Sequence, residues 1–130
     1  MPYTILCVVG GTDKRRHKRL LPARERYKGT HIQQAAESAK LKGNLPLFVL
    51  SSKHGLLAER QGVADYRHAL VERDIDILAS RLYAQLGQMH AREVYLHTFV
   101  GREWNLYLRA MTLATQKLGA RLIVTELEAP

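Results

Sequence analysis

The chain predicts an α/β protein: a single three-layer αβα domain spanning residues 1–130, with a mainly parallel sheet of about four strands. Three observations lead there. Short apolar runs alternate with longer stretches of helical periodicity. The first, second and fourth runs are near-continuous rather than alternating, as in strands covered on both faces. A length of 130 residues suits one hydrophobic core, built without disulfides or metals.

The first run, Tyr3-Thr4-Ile5-Leu6-Cys7-Val8-Val9, is rich in β-formers and stops at Gly10-Gly11. Residues 10–29 have no clear period and are strongly basic, so they read as a long functional loop, or as a loop with a short helix near 20–27. Residues 31–42 are rich in Ala and Lys, with Thr30 as N-cap and Gly43-Asn44 as the stop. Leu47-Phe48-Val49-Leu50 is the second strand. Residues 74–88 place Ile75, Leu78, Leu82 and Leu86 on one helical face, which Ile77 widens. Glu93-Val94-Tyr95-Leu96-His97 is the third strand. Residues 103–118 align Trp104, Leu108, Met111 and Ala114 and close at Gly119. Arg121-Leu122-Ile123-Val124-Thr125 is the fourth strand. This alternation requires crossover connections, which strand twist makes right-handed. No repeat, linker or low-complexity tail interrupts it.

Composition narrows the partners. The chain is 46% apolar and 25% charged, and no apolar run approaches the ~20 residues of a membrane span. Residues 4–9 are too short for the apolar part of a signal peptide. The expectation is therefore no membrane and a cytoplasmic location, with which the lone Cys7 agrees. A net charge of +8 attracts polyanions, which makes nucleic acid the first candidate partner and phosphorylated nucleotides the next. The run Lys14-Arg15-Arg16-His17-Lys18-Arg19 concentrates that charge. Homo-oligomerisation stays open, since no apolar stripe demands it. The six histidines are scattered and no pair has a metal-ligand spacing, so no metal is expected, and the identity of any cofactor is left unknown.

Ligands of open α/β sheets bind outside the carboxyl ends of the strands. Loops 10–29, 51–67 and 98–103 should meet there. In the first, Gly10 and Gly11 let backbone N–H groups approach an anion and Lys14 adds charge; a tight turn explains them equally well. The pattern is neither a P-loop nor a dinucleotide fingerprint. Arg24 can fork onto a phosphate or carboxylate, and Tyr27 can stack on a base. The plainer alternative pairs Arg24, Glu25 and Arg26 on the surface and packs Tyr27 on the sheet.

Ser51-Ser52-Lys53-His54-Gly55 is the richest stretch. Ser51 and Ser52 offer hydroxyls, one a nucleophile if Lys53 or His54 takes its proton. Lys53 can instead bind phosphate or form an imine, and His54 can act as general acid or base. Gly55 permits a turn that a side chain would forbid. If the strand runs on, Ser52 and His54 share one side, Ser51 and Lys53 the other. A polar strand exit whose hydroxyls cap the next turn is the alternative. Asp65 is the carboxylate available to orient His54 or pair with an arginine; an N-cap or turn role is equally open. Gly101 permits close approach and Arg102 can hold an anion, while Trp104 reads as core. Cys7 reads as a buried strand cysteine rather than as half of a Cys/His dyad with His54.

These residues resemble a family. Cys7, then Pro22-Ala23-Arg24-Glu25-Arg26-Tyr27, then Phe48 through Leu57, then Asp65-Tyr66 match the pattern of an uncharacterised α/β domain family of bacteria and their phages. That pattern runs Cys, Lys, P-A-R-x-x-Y, I-L-S-A-K-H-G-L, P-Y-D and G-x-x-Y. The family is distantly similar to the catalytic domain of archaeosine synthase, which modifies a deazaguanine base in transfer RNA. The resemblance implies the αβα fold and marks Cys7, Lys14, Arg24, Tyr27, Ser51, Lys53, His54, Gly55, Tyr66 and Gly101 as ligand-site positions. The chain departs from the pattern in a longer insertion before Lys14, in Ala64-Asp65-Tyr66 for P-Y-D, and in Trp104 where tyrosine is usual.

The functional expectation is an enzyme that processes a nucleobase, nucleotide or nucleic acid. Its basic loop would hold phosphate, and Ser52, Lys53, His54 and Asp65 would carry the chemistry. A non-catalytic nucleic-acid-binding module, or a domain that senses a nucleotide, are the rivals.

Overall fold

The computed structural model describes residues 3–11, 14, 20–27, 29–66 and 68–127. In chain order the elements are β1 (Tyr3–Val9), β2 (Leu21–Pro22), α1 (Ala23–Arg26), α2 (His31–Leu41), β3 (Leu47–Ser51), β4 (Gly55–Ala58), β5 (Gly62–Val63), α3 (Ile75–Gln88), β6 (Ala91–Phe99), α4 (Arg102–Leu118) and β7 (Arg121–Leu127). A 3-10 turn, Glu72–Asp74, leads into α3.

The main sheet has the order β4-β3-β1-β6-β7, and β2 and β5 form a two-stranded ribbon beside it. β1, β3, β6 and β7 are parallel, as the alternation of runs requires. The fifth strand, β4, was not visible as a separate run. It folds back antiparallel on β3, pairing Ser51 with Gly55 and Leu50 with Leu56. The strand therefore does not run on through Ser52-Lys53-His54. Those residues make a turn, and Gly55 closes it at φ +73°, as its conformational freedom allows.

Two cores sandwich the sheet. Ile5, Cys7 and Val9 of β1 face α3 and α4, with Leu78, Leu82, Leu86, Tyr107, Ala110 and Met111. Leu6 and Val8 face α2, with Ile32, Ala35 and Ala39. This alternation is the two-residue period of a strand buried on both sides. From β1 the chain steps to β3 under α2, then reverses across the sheet to β6 and β7 under α3 and α4. Right-handed crossovers make the helices change face where the direction changes.

Several local expectations need correction. Ile77 is 66% exposed and lies off the buried stripe of α3. The fourth run, β7, is an edge strand with Val124, Thr125 and Glu126 exposed, because among the described residues nothing pairs beyond it. The buried stripe of α4 runs through Tyr107, Ala110, Met111 and Ala114, with Trp104 and Leu108 only half-buried at its border. Thr30 stands at the N-cap of α2 but makes no side-chain cap bond; its carbonyl accepts from Gln34. Among the described residues no helix is long and apolar enough to cross a membrane.

Candidate functional site

The loops after β1, β3 and β6 meet at one edge because these strands are adjacent and parallel. Gly10 N–H donates to the Leu50 carbonyl at 2.9 Å, which joins the first loop to β3. The reversal of direction falls between β1 and β6, the switch point where open sheets form a crevice. Aromatic rings line it. His31 and Phe99 lie 5.0 Å apart, as do Phe99 and Trp104. A Cβ on Gly11 would come within 2.8 Å of the Trp104 ring, and one on Gly10 within 2.8 Å of the Tyr27 ring. The two glycines thus make room for aromatic side chains.

Toward β3 the edge holds a buried polar cluster. Tyr66 Oη lies 2.5 Å from Tyr27 Oη and 2.7 Å from Ser51 Oγ. Ser51 Oγ also accepts the N–H groups of Lys53 (3.2 Å) and His54 (3.1 Å), so it caps the turn as well as joining the cluster. Lys14 makes a β-bridge with Tyr27 and is only 4% exposed. Its Nζ lies 4.3 Å from the centre of the Tyr66 ring, a cation–π contact in a desolvated place. Lys53 is exposed, with Nζ 5.7 Å from the same ring. The His54 ring meets Tyr66 edge-on at 5.1 Å. Tyr27, Ser51, Tyr66, Lys14, Lys53 and His54 therefore come together around one phenol.

Burial, then Lys53 and then Arg81, hold the His54 imidazole below its ordinary range, so it is neutral at neutral pH. Burial does the same to His31 and His97. His31 bonds the Val9 carbonyl through Nε2 at 2.9 Å, whereas His97 Nδ1 is buried without a partner among the described residues. All three are lowered from 6.5, so as pH falls through that value the unfolded chain takes up protons first. Their contribution to stability is complete above it and is lost as pH falls toward the depressed values. The unfolding temperature should be lower at pH of about 5.5 than at about 7.5. Substituting the three histidines with glutamine should flatten that slope. An unchanged slope in the triple variant would sink this account.

The remaining candidates lie elsewhere. Ser52 Oγ donates to the His68 carbonyl at 2.7 Å and also meets the His68 ring, rather than His54. Cys7 is fully buried in the core, and burial pushes its thiol pKa far up, so no thiolate forms. Arg24 and Asp65 are exposed, Asp65 next to Tyr66 in sequence. Arg26 is not a surface residue: it is 0% exposed, and its Nε and Nη2 both donate to the Val63 carbonyl, at 3.0 and 2.8 Å. Gly101 and Arg102, both exposed, open α4 and line a separate cleft of about 330 Å³ with Trp104 and Val124. Thr12, Asp13, the basic run Arg15-Arg16-His17-Lys18-Arg19, Lys28 and Arg67 lie outside the described residues.

Sequence reasoning missed the residues that hold the turn from α3. Gln85 Oε1 accepts the Leu56 N–H at 2.8 Å, and its Nε2 donates to the carbonyls of Leu56 (3.1 Å) and His54 (3.3 Å). Arg81 donates to the Lys53 carbonyl. Their spacing of four residues puts both on one helix face, but only the hairpin reveals what that face meets. Among the described residues no group of three or more His, Cys, Asp or Glu is arranged to hold a metal ion.

Against known proteins, residues 6–127 match a family of unknown function, DUF6884. No curated protein and no solved structure matches the chain.

Proposed function

The chain belongs to that family of unknown function, and we propose that it is an enzyme acting on a nucleobase, nucleotide or nucleic acid at the carboxyl ends of β1 and β3. The observation that carries this is the buried Lys14 ammonium set over Tyr66 within a chain of hydroxyls. An ammonium and phenol hydroxyls gathered at one strand edge supply hydrogen-bond donors that suit an anionic or carbonyl-bearing ligand. Lys53 adds a second cation at the mouth, and the neutral His54 is able to take a proton there. The net charge of +8 supports a polyanion as the carrier of the reacting group. The family's distant resemblance to the archaeosine synthase catalytic domain, read from the sequence alone, suggests a base as the moiety handled. Tyr27, with its ring buried, contributes its hydroxyl rather than a stacking face.

Fluorescence anisotropy tests this with single-stranded DNA, duplex DNA and transfer RNA, at low and physiological salt. The Lys53→Ala/His54→Ala double variant should bind about tenfold more weakly than wild type at physiological salt. Equal binding by both, falling steeply with salt, would instead favour a non-catalytic basic module. Failure of wild type to bind any of the three, or a free nucleotide, would defeat the proposal.

A further inference from the structure

On the α3 side of the same turn, Ser52, His68 and Asp74 lie in series, Ser52 hydrogen-bonded to the His68 ring and Asp74 facing its other nitrogen, apart from the Tyr66 hydroxyls. His68 Nδ1 lies 3.1 Å from Ser52 Oγ, and His68 Nε2 lies 3.7 Å from Asp74 Oδ2. Asp74 is itself fixed, since Oδ2 accepts the Val71 N–H at 3.2 Å. The three residues line a cavity of about 130 Å³ together with Lys53 and Arg81. Ser52 is 6% exposed.

The order of these groups determines where the imidazole proton sits. A carboxylate facing Nε2 keeps the proton of a neutral ring on that nitrogen. Nδ1 is then a bare lone pair, and the hydrogen within its reach is that of Ser52. The Ser52 hydroxyl is also bonded to the His68 carbonyl, so a rotation about Cβ–Oγ moves its hydrogen from that oxygen to Nδ1. A nucleophile, a base and an orienting carboxylate are recognised by these roles rather than by chain order or by which ring nitrogen faces which partner.

We infer that Ser52 is a nucleophile, with His68 as its base and Asp74 as the positioning residue, serving hydrolysis of a short carboxylic ester with a negatively charged acyl part. Lys53 and Arg81 would receive that charge. In the first half, Ser52 Oγ bonds to the acyl carbon, its proton passes to His68 Nδ1, and the ester C–O bond breaks as the leaving alkoxide takes that proton. In the second half, water gives a proton to Nδ1 and attacks the acyl carbon, and the Ser52 oxygen leaves and recovers the proton. No other reactant is needed, and none of this rests on the nucleotide reading.

A fluorophosphonate probe tests it on the whole chain, since the serine oxygen displaces fluoride to form a stable bond to phosphorus. Peptide mapping should place one label on Ser52, with labelling about a hundredfold slower in His68→Asn. Imidazole 15N shifts should show the His68 proton on Nε2 in wild type and a mixture of tautomers in Asp74→Asn, a readout that loss of packing alone does not produce. The wild type should also cleave 4-nitrophenyl hydrogen succinate faster than 4-nitrophenyl acetate. Absence of label on Ser52, or a wild-type His68 proton on Nδ1, overturns the inference. So does labelling that His68→Asn leaves unchanged.

Discussion

Replacing Arg26 with alanine is expected to lower the unfolding free energy by about 4 kcal/mol, against the ~5–15 kcal/mol that holds an ordinary domain together. The side chain is wholly enclosed, and both Nε and Nη2 grip one oxygen, the Val63 carbonyl. That oxygen belongs to β5, whose partner β2 runs directly into α1. Backbone bonds from Ala23 to Gln61 and from Arg24 to Glu59 complete the seam. Truncation would leave the Val63 acceptor short of donors in a place closed to water, and would open a void where the guanidinium lay. Urea denaturation should show a lower midpoint with a nearly constant slope. Arg24→Ala, two positions earlier and exposed, should change stability by no more than ~0.5 kcal/mol. Similar losses at the two positions would mean that the buried fork is not what holds α1 to β5.

Gly55→Ala should cost about 3 kcal/mol, from two sources. An alanine held at φ +73° carries about 1–2 kcal/mol of backbone strain. Its Cβ would also stand 2.4 Å from Gln85 Oε1 and 3.2 Å from Arg81 Cγ, so Gln85 would have to leave its bonds to Leu56 and His54. A double-mutant cycle separates the sources: in a Gln85→Ala background the same substitution should cost only the backbone part. Additive losses would show that the contact with Gln85 contributes nothing. Hydrogen exchange at the Leu56 amide should accelerate in Gly55→Ala and in Gln85→Ala alike.

The parallel frame was legible because each of its strands is a separate apolar run, and helical periodicity marked α2, α3 and α4. β4 escaped notice because Leu56-Leu57 follows its turn after so few residues that strand and return read as one motif. The strand-end stretch was legible as a place but not as a division of labour. Ser51 and Ser52 are neighbours in sequence and turn to different partners, Tyr66 on one side and His68 on the other. Periodicity says nothing of this, because a turn has no period. Arg26 was illegible for a related reason: α1 has four residues, too few to show which side is covered. His68 and Asp74 looked like ordinary loop residues, since their relation to Ser52 exists only once the hairpin has closed.

The cluster around Tyr66 has a fixed direction of protons. Ser51 Oγ receives two backbone N–H groups, which occupies both of its lone pairs. It can then only give its own hydrogen, and a tyrosine must receive it. That tyrosine passes its hydrogen to the other across the 2.5 Å contact. Whichever phenol stands last, its hydrogen has no acceptor within the trio and is directed out of it. The row of hydroxyls thus ends in a donor, on the same side as the Lys14 ammonium. A carbonyl, an unprotonated ring nitrogen or a phosphoryl oxygen would accept that last hydrogen, whereas an ammonium or an amide N–H would meet only a phenol's remaining lone pair.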